Sequence, residues 1–135
     1  MEDGQEVESV STVLDCTGYR CSVPFLHQRI LDTLQYDDED NFAPFVLCFD
    51  AYHPKLNNLG FVGMYKGPYF GVMELQAKLL CEQMIGKSIV SEERSTEALQ
   101  DSLKIRNSVP RAQFLRFDYV GMMDELASLL GVCPT

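Results

Sequence analysis

The sequence predicts an α/β chain with the element order strand, helix, strand, strand, then three helices. Three observations carry that expectation. A β-branched stretch over residues 7–14 alternates along its length and ends near Asp15. Two short apolar runs, Phe45-Val46-Leu47-Cys48-Phe49 and Leu59-Gly60-Phe61-Val62-Gly63, are bounded by turn residues. In the second half, apolar residues recur at helical spacing between capping and stopping residues.

Taken in order, Asp3-Gly4 is a tight-turn dipeptide that leads into the first strand, and Thr17-Gly18-Tyr19 closes that strand. Only Met1 and Glu2 precede the turn, so either the turn is accidental or the chain begins partway through a hairpin. After Val23-Pro24, the spacing of Leu26, Ile30, Leu31 and Leu34 predicts a helix. Asp37-Asp38-Glu39-Asp40 is an acidic loop. The run at 45–49 is short and wholly apolar, as a buried strand is, and His53-Pro54 with Asn57-Asn58 marks the turn into a second strand at 59–63. A helix is expected over 72–85, with Met73, Ala77, Leu80 and Met84 on one face and Gly86 as its stop. A polar helix over 91–106 carries Leu99 and Leu103, and Val109-Pro110 breaks it. The last helix spans 119–130, capped by Asp118 and stopped by Gly131, with Met122, Met123, Leu126 and Leu130 inward.

Composition narrows the function. The chain has 135 residues, with 11 Lys+Arg against 20 Asp+Glu and a formal charge of −9. That sign disfavours phosphate backbones and anionic lipid alike. Hydrophobic residues make up 46% and charged residues 23%, the balance of a packed globular protein. No apolar stretch reaches the roughly 18–20 residues that span a bilayer. The acidic Met1-Glu2-Asp3-Gly4 is followed by no apolar run, so no secretory signal is expected. Five cysteines form no CxxC pair and leave one over in any disulfide scheme, which points to free thiols and a cytoplasmic location. His27 and His53 lack cysteines at zinc-finger spacing, and Cys133 lies third from the end, outside a prenylation box.

The stretch most informative about chemistry is Leu59 to Lys78, LGFVGMYKGPYFGVMELQAK. A strand delivers the chain to Gly63, a loop crosses over, and a helix begins near Gly71. In α/β folds a ligand meets the C-terminal edge of a strand and the N-terminus of a helix in this way. Gly63, Gly67 and Gly71 would let backbone approach a flat cofactor, although the same spacing describes a glycine-rich surface loop. Val13-Leu14-Asp15-Cys16-Thr17-Gly18-Tyr19 can likewise bring a hydroxyl and bare backbone beside a ligand, or simply leave a strand. Tyr65, Tyr69 and Phe70 are candidates to line a substrate pocket, or ordinary packing. Asp37, Glu39 and Asn41 alternate like calcium ligands, but Phe42 stands where that loop needs glycine and Cys48 where it needs a closing Glu. Cys48 and His53 could form a thiol–imidazole pair, although a cysteine in so apolar a run reads as an inert core residue. The methionines read as core filler.

Together these motifs resemble the C-terminal part of a flavin-containing monooxygenase, and the resemblance covers nearly the whole chain. It rests on Asp3-Gly4, the strand Val10 to Leu14, and Cys16-Thr17-Gly18-Tyr19, where the family has Ala-Thr-Gly-Tyr. His53-Pro54, Asn57-Asn58-Leu59 and Phe61-Val62-Gly63 follow in the family's order. Next comes Glu74-Leu75-Gln76-Ala77-Lys78, with lysine for the usual arginine, and last Phe117-Asp118-Tyr119 through Asp124-Glu125-Leu126. No GxGxxG occurs in the chain, whereas the family carries two such turns upstream, for FAD and NADPH. Its Phe-x-Gly-x-x-x-His segment is absent too.

The resemblance implies the C-terminal segment of a Rossmann-type flavoprotein with two dinucleotide-binding domains, incomplete as a fold. On that reading residues 1–19 form a hairpin strand and Thr-Gly-Tyr linker, 20–86 the flavin-proximal strands, loop and helix, and 87–135 the C-terminal helices. The complete enzyme would use FAD, NADPH and oxygen to oxygenate a small molecule at a soft nitrogen or sulfur. The residues implied near the flavin are Thr17, Gly18, Gly63, Gly71 and Gln76. The helix start over Gly71–Gln76 would set its positive end against the reduced ring. No acid, base or nucleophile is assigned, and this chain alone is expected to bind neither FAD nor NADPH tightly and to be inactive. The rival reading is a non-catalytic truncated product, or a small acidic interaction module without cofactor sites.

Overall fold

The computed structural model describes residues 9–16, 18–64, 69–108 and 118–133. Four helices organise it: α1 (Gln28–Thr33), α2 (Phe70–Met84), α3 (Glu92–Asn107) and α4 (Tyr119–Leu129). The last three stand where periodicity and caps place them. Ser91 Oγ accepts from the Arg94 N–H at 3.1 Å and Asp118 Oδ1 from the Gly121 N–H at 2.7 Å, each satisfying a first-turn donor that has no partner within the helix. Gly86 and Gly131 lie at positive φ one or two residues beyond α2 and α4 and turn the chain away. In α3, Glu92 and Glu93 in the first turn and Lys104 and Arg106 in the last complement the helix dipole. Helix α1 is shorter than its apolar spacing suggests. It opens at an N-cap, His27, whose Nδ1 accepts from the Arg29 N–H.

The expected strands do not form among the described residues, where only isolated bridges pair Cys48 with Tyr52 and Tyr52 with Gly60. The reason lies in the turns. Phe49 and Asp50 both stand at φ 53°, and the Ala51 N–H closes onto the Cys48 carbonyl, so the chain reverses at the end of the 45–49 run. The N–H groups of that run go elsewhere: Val46 to the Leu34 carbonyl, Leu47 to Ser102 Oγ of α3, and Cys48 to the Tyr52 carbonyl. The N–H groups of the 59–63 run are spent likewise: Leu59 on the Leu56 carbonyl, Phe61 on the Ala51 carbonyl and Gly63 on Gln76 Oε1. Residues 9–16 make no ladder, and Val13, Leu14 and Tyr19 are 83%, 81% and 95% exposed. Residues 7 and 8, and the Asp3-Gly4 turn, lie outside the described residues.

Two hydrophobic clusters fill the interior. The larger joins the 48–52 turn to α2, α3 and α4, with Leu79 and Leu126 fully buried and each contributing about 1.5–3 kcal/mol. Helices α2 and α4 pack directly on each other. The smaller holds Leu34 against Phe45 and Leu47, beside a stack of rings in which Phe45 lies 5.3 Å from Tyr36 and 4.9 Å from Phe61. The inward face of α2 is rotated from the expected one. Val72, Gln76, Leu79 and Leu80 are buried, while Met84 is exposed. In α3 the small residues Ser95, Ala98 and Ser102 face in, with Leu99 and Leu103 only half-buried, because the 45–52 backbone lies too close for larger side chains.

Candidate functional site

Gln76 is a polar side chain with no exposed surface, set in the middle of an apolar helix face. Both ends of its amide are used. Its Nε2 donates to the Phe49 carbonyl at 2.8 Å, and its Oε1 accepts from the Gly63 N–H at 3.0 Å. Such a group is tolerated in a core only because it is fully paired. Its partners are main-chain groups of two separate turns. Phe49 reaches its bond at positive φ, an unusual conformation for an aromatic residue, and Gly63 stands at φ 70°. Above the Phe49 ring lies the guanidinium of Arg94, 5.3 Å from the centroid, and Glu125 of α4 ion-pairs with that guanidinium.

The sequence therefore singled out two residues that the fold brings into direct contact, Gly63 and Gln76. A Cβ on Gly63 would come within 2.9 Å of Met73 Cε, and one on Gly71 within 2.6 Å of Met123 Cε. The room at these two glycines is taken up by methionines of α2 and α4. Gly18 is different: it stands at φ 84° with nothing within 4 Å of a Cβ position. Thr17 and Tyr65 lie outside the described residues.

At the end of α2 nearest Gly71, Tyr69 serves as N-cap without a side-chain bond to the first turn. Its ring stacks on Tyr119, at the start of α4, with centroids 4.7 Å apart and planes 15° from parallel. Phe70 beside them is 74% exposed. The N-termini of α2 and α4 thus meet at the Tyr69–Tyr119 stack, which lies at the positive end of α2.

The other candidates resolve into structure. Cys48 Sγ donates to the Ser95 carbonyl at 3.2 Å, and burial pushes its thiol up to about 12, so it is the inert core cysteine its apolar run suggests. His53 accepts at Nδ1 from the Lys55 N–H, and burial followed by the Lys55 charge lowers its pKa from 6.5. Tyr52 shares a buried hydrogen bond with Ser95. Tyr52, His53 and Ser95 help wall a separate cavity of about 600 Å³ between the 52–59 loop and the facing ends of α2 and α3. In the acidic loop, Asp37 and Asp40 face Arg106, and Glu39 pairs with Arg20. No helix among the described residues is long and apolar enough to cross a membrane.

A glycine turn tied to a helix whose N-terminus carries aromatic rings suits a flat, partly anionic ligand. The chain belongs to the flavin-binding monooxygenase-like family, whose model matches residues 1–135, and that family implies a Rossmann-type flavoprotein. It is 28% identical over 142 residues to flavin-containing monooxygenase 2 of Homo sapiens and, equally, to dimethylaniline monooxygenase (N-oxide-forming) 2 of Pan troglodytes. It is 23% identical over 140 residues to flavin-containing monooxygenase 3 of Homo sapiens. Each match covers 98% of this chain and 25% of the relative, so the chain spans about a quarter of the length of the curated relatives it matches. No solved structure matches it.

The burial and double pairing of Gln76 leave no sign in its own residue type. The resemblance to Glu-Leu-Gln-Ala-Arg picked it out, whereas helix periodicity assigned that face to Met73 and Ala77. Phe49, Arg94 and Glu125 were missed as its supports. A buried aromatic and two charged helix residues carry no local signal of contacts so distant in sequence.

Proposed function

We propose that this chain supplies the flavin-proximal edge of an NADPH-dependent monooxygenase that oxygenates a small molecule at a soft nitrogen or sulfur. The observation that carries the reading is the N-terminus of α2, which bears the exposed Phe70 and the Tyr69–Tyr119 stack and is tied through Gln76 to the turn at Gly63. Names such as dimethylaniline monooxygenase (N-oxide-forming) favour nitrogen.

The residues present fit the ring end of FAD. They offer a helix N-terminus, aromatic surface and a bare Gly18, and no GxGxxG turn for the pyrophosphate. Bound FAD would take hydride from NADPH and activate oxygen. This chain's part is placement and field: Gly71 and the first turn of α2 face the developing negative charge, and Thr17 and Gly18 are assigned to the cofactor by their motif. Gly63 sets the approach of the loop. Tyr69 and Phe70, with Tyr65 by assignment from the sequence, serve the substrate side and keep water from the reacting atoms. The exposed Val13, Leu14 and Tyr19 are covered, in this reading, by the rest of the flavoprotein.

The test is to join this chain to the portion of human flavin-containing monooxygenase 2 that it does not match. The expected product is yellow and consumes NADPH when given N,N-dimethylaniline. A soluble product that holds no flavin refutes the proposal.

A further inference from the structure

We infer that Gln76 is a positioning residue: one buried amide clamps the Phe49 and Gly63 peptides together, and this fixes the 60–64 turn at the edge assigned above to flavin. The inference rests on that flavin reading and adds a role the reading does not contain. Three observations carry it.

First, the clamp uses both polar atoms of the side chain: Nε2 donates to one main-chain group and Oε1 accepts from another. Second, both clamped turns are held at positive φ, so the clamp opposes a local preference for other conformations at Phe49 in particular. Third, the Phe49 side has its own support. Arg94 covers the ring and is held by Glu125, so α2, α3 and α4 all converge on the one turn whose carbonyl Gln76 binds. Removing the amide would leave the buried Phe49 carbonyl and the half-buried Gly63 N–H without these bonds.

The geometry yields a selective test, because a protonated glutamic acid can reproduce both bonds. Its carbonyl oxygen accepts from the Gly63 N–H while its O–H donates to the Phe49 carbonyl. Once ionised it has no proton to donate and faces that carbonyl with like charge. The two peptide groups do not titrate, and Arg94 stays charged throughout. Amide hydrogen-exchange protection at Gly63 should therefore be flat with pH in the wild-type chain. In Gln76→Glu it should stay near wild type at every pH, since a carboxylate still accepts from the Gly63 N–H, while the ¹³C resonance of the Phe49 carbonyl should shift, beyond any wild-type change, as the carboxyl ionises and its donated bond is lost. In Gln76→Met protection at Gly63 should be low at every pH. Protection at Leu79 and Leu80, on the same helix, serves as the internal measure that the fold is intact. The glutamate variant keeps the test decisive if the methionine variant does not fold.

Equal protection at Gly63 in wild type and Gln76→Met, or a Phe49 carbonyl resonance in Gln76→Glu that moves with pH no more than in wild type, overturns the clamp. The purpose assigned to it is read separately, by adding FAD to the wild-type chain. Shifts at Gly63 that are lost in Gln76→Met support it. Absence of any shift near Gly63 in wild type overturns the flavin reading, even where the exchange result stands.

Discussion

The rings of Tyr69 and Tyr119 lie 4.7 Å apart and nearly parallel, joining the N-terminus of α2 to that of α4. Contacts of this kind are worth about 0.5–1.5 kcal/mol beyond the area they bury. Replacing Tyr119 by Leu should cost about 1 kcal/mol in a urea unfolding experiment, and Tyr119→Phe much less. Equal loss in both variants would show that the hydroxyl, not the stack, carries the contact.

Gly63→Val should destabilise by about 2–3 kcal/mol, since a β-branched residue is forced to positive φ and its Cβ meets Met73. Gly63→Ala should cost less, because the Met73 methyl can move aside. In the flavin-bearing protein the valine variant should also retain less flavin, read as absorbance per protein. Full flavin occupancy in Gly63→Val would remove this residue from the cofactor's neighbourhood.

Stability should fall as pH drops through the ordinary histidine range. His53 is neutral in the fold with a pKa below 6.5, so the unfolded chain binds the extra proton first. The contribution is complete above the unfolded value and is lost as pH falls through the folded one. An NMR titration should give a His53 midpoint below 6.5, and His53→Gln should flatten the slope of stability with pH in that window. A midpoint at or above 6.5 would contradict the burial assigned to this ring.

The two caps should behave independently. Ser91→Ala and Asp118→Ala are each expected to cost about 1 kcal/mol, and the double variant about the sum, since they serve different helices.

The helices were legible because their ends are written locally. Ser91, Asp118, Gly86 and Gly131 each act within one turn of their position; the structure uses Asp118, Gly86 and Gly131 as the sequence suggests, and Ser91, expected only as the start of its helix, caps it. The strands were not. A run such as Phe45–Phe49 says only that it is buried, and its backbone partners turned out to be Leu34, Ser102 and Tyr52. The inward face of α2 was misread for a related reason: a glutamine counts as polar in any periodicity, and only its two distant peptide partners make it a core residue. Of the candidate site, the Gly63–Gln76 pair was visible through motif order, while the Tyr69–Tyr119 stack joins residues fifty apart and had no local trace.

The most direct test of the account is a map of where FAD touches the folded chain. In ¹H–¹⁵N spectra of the 135-residue protein, FAD should bind only weakly and move resonances at Gly18, Gly63, Tyr69 to Met73 and Tyr119 to Gly121. Shifts confined instead to the cavity walled by Tyr52 and His53, or no shifts at saturating FAD, would contradict a flavin-facing edge at the start of α2.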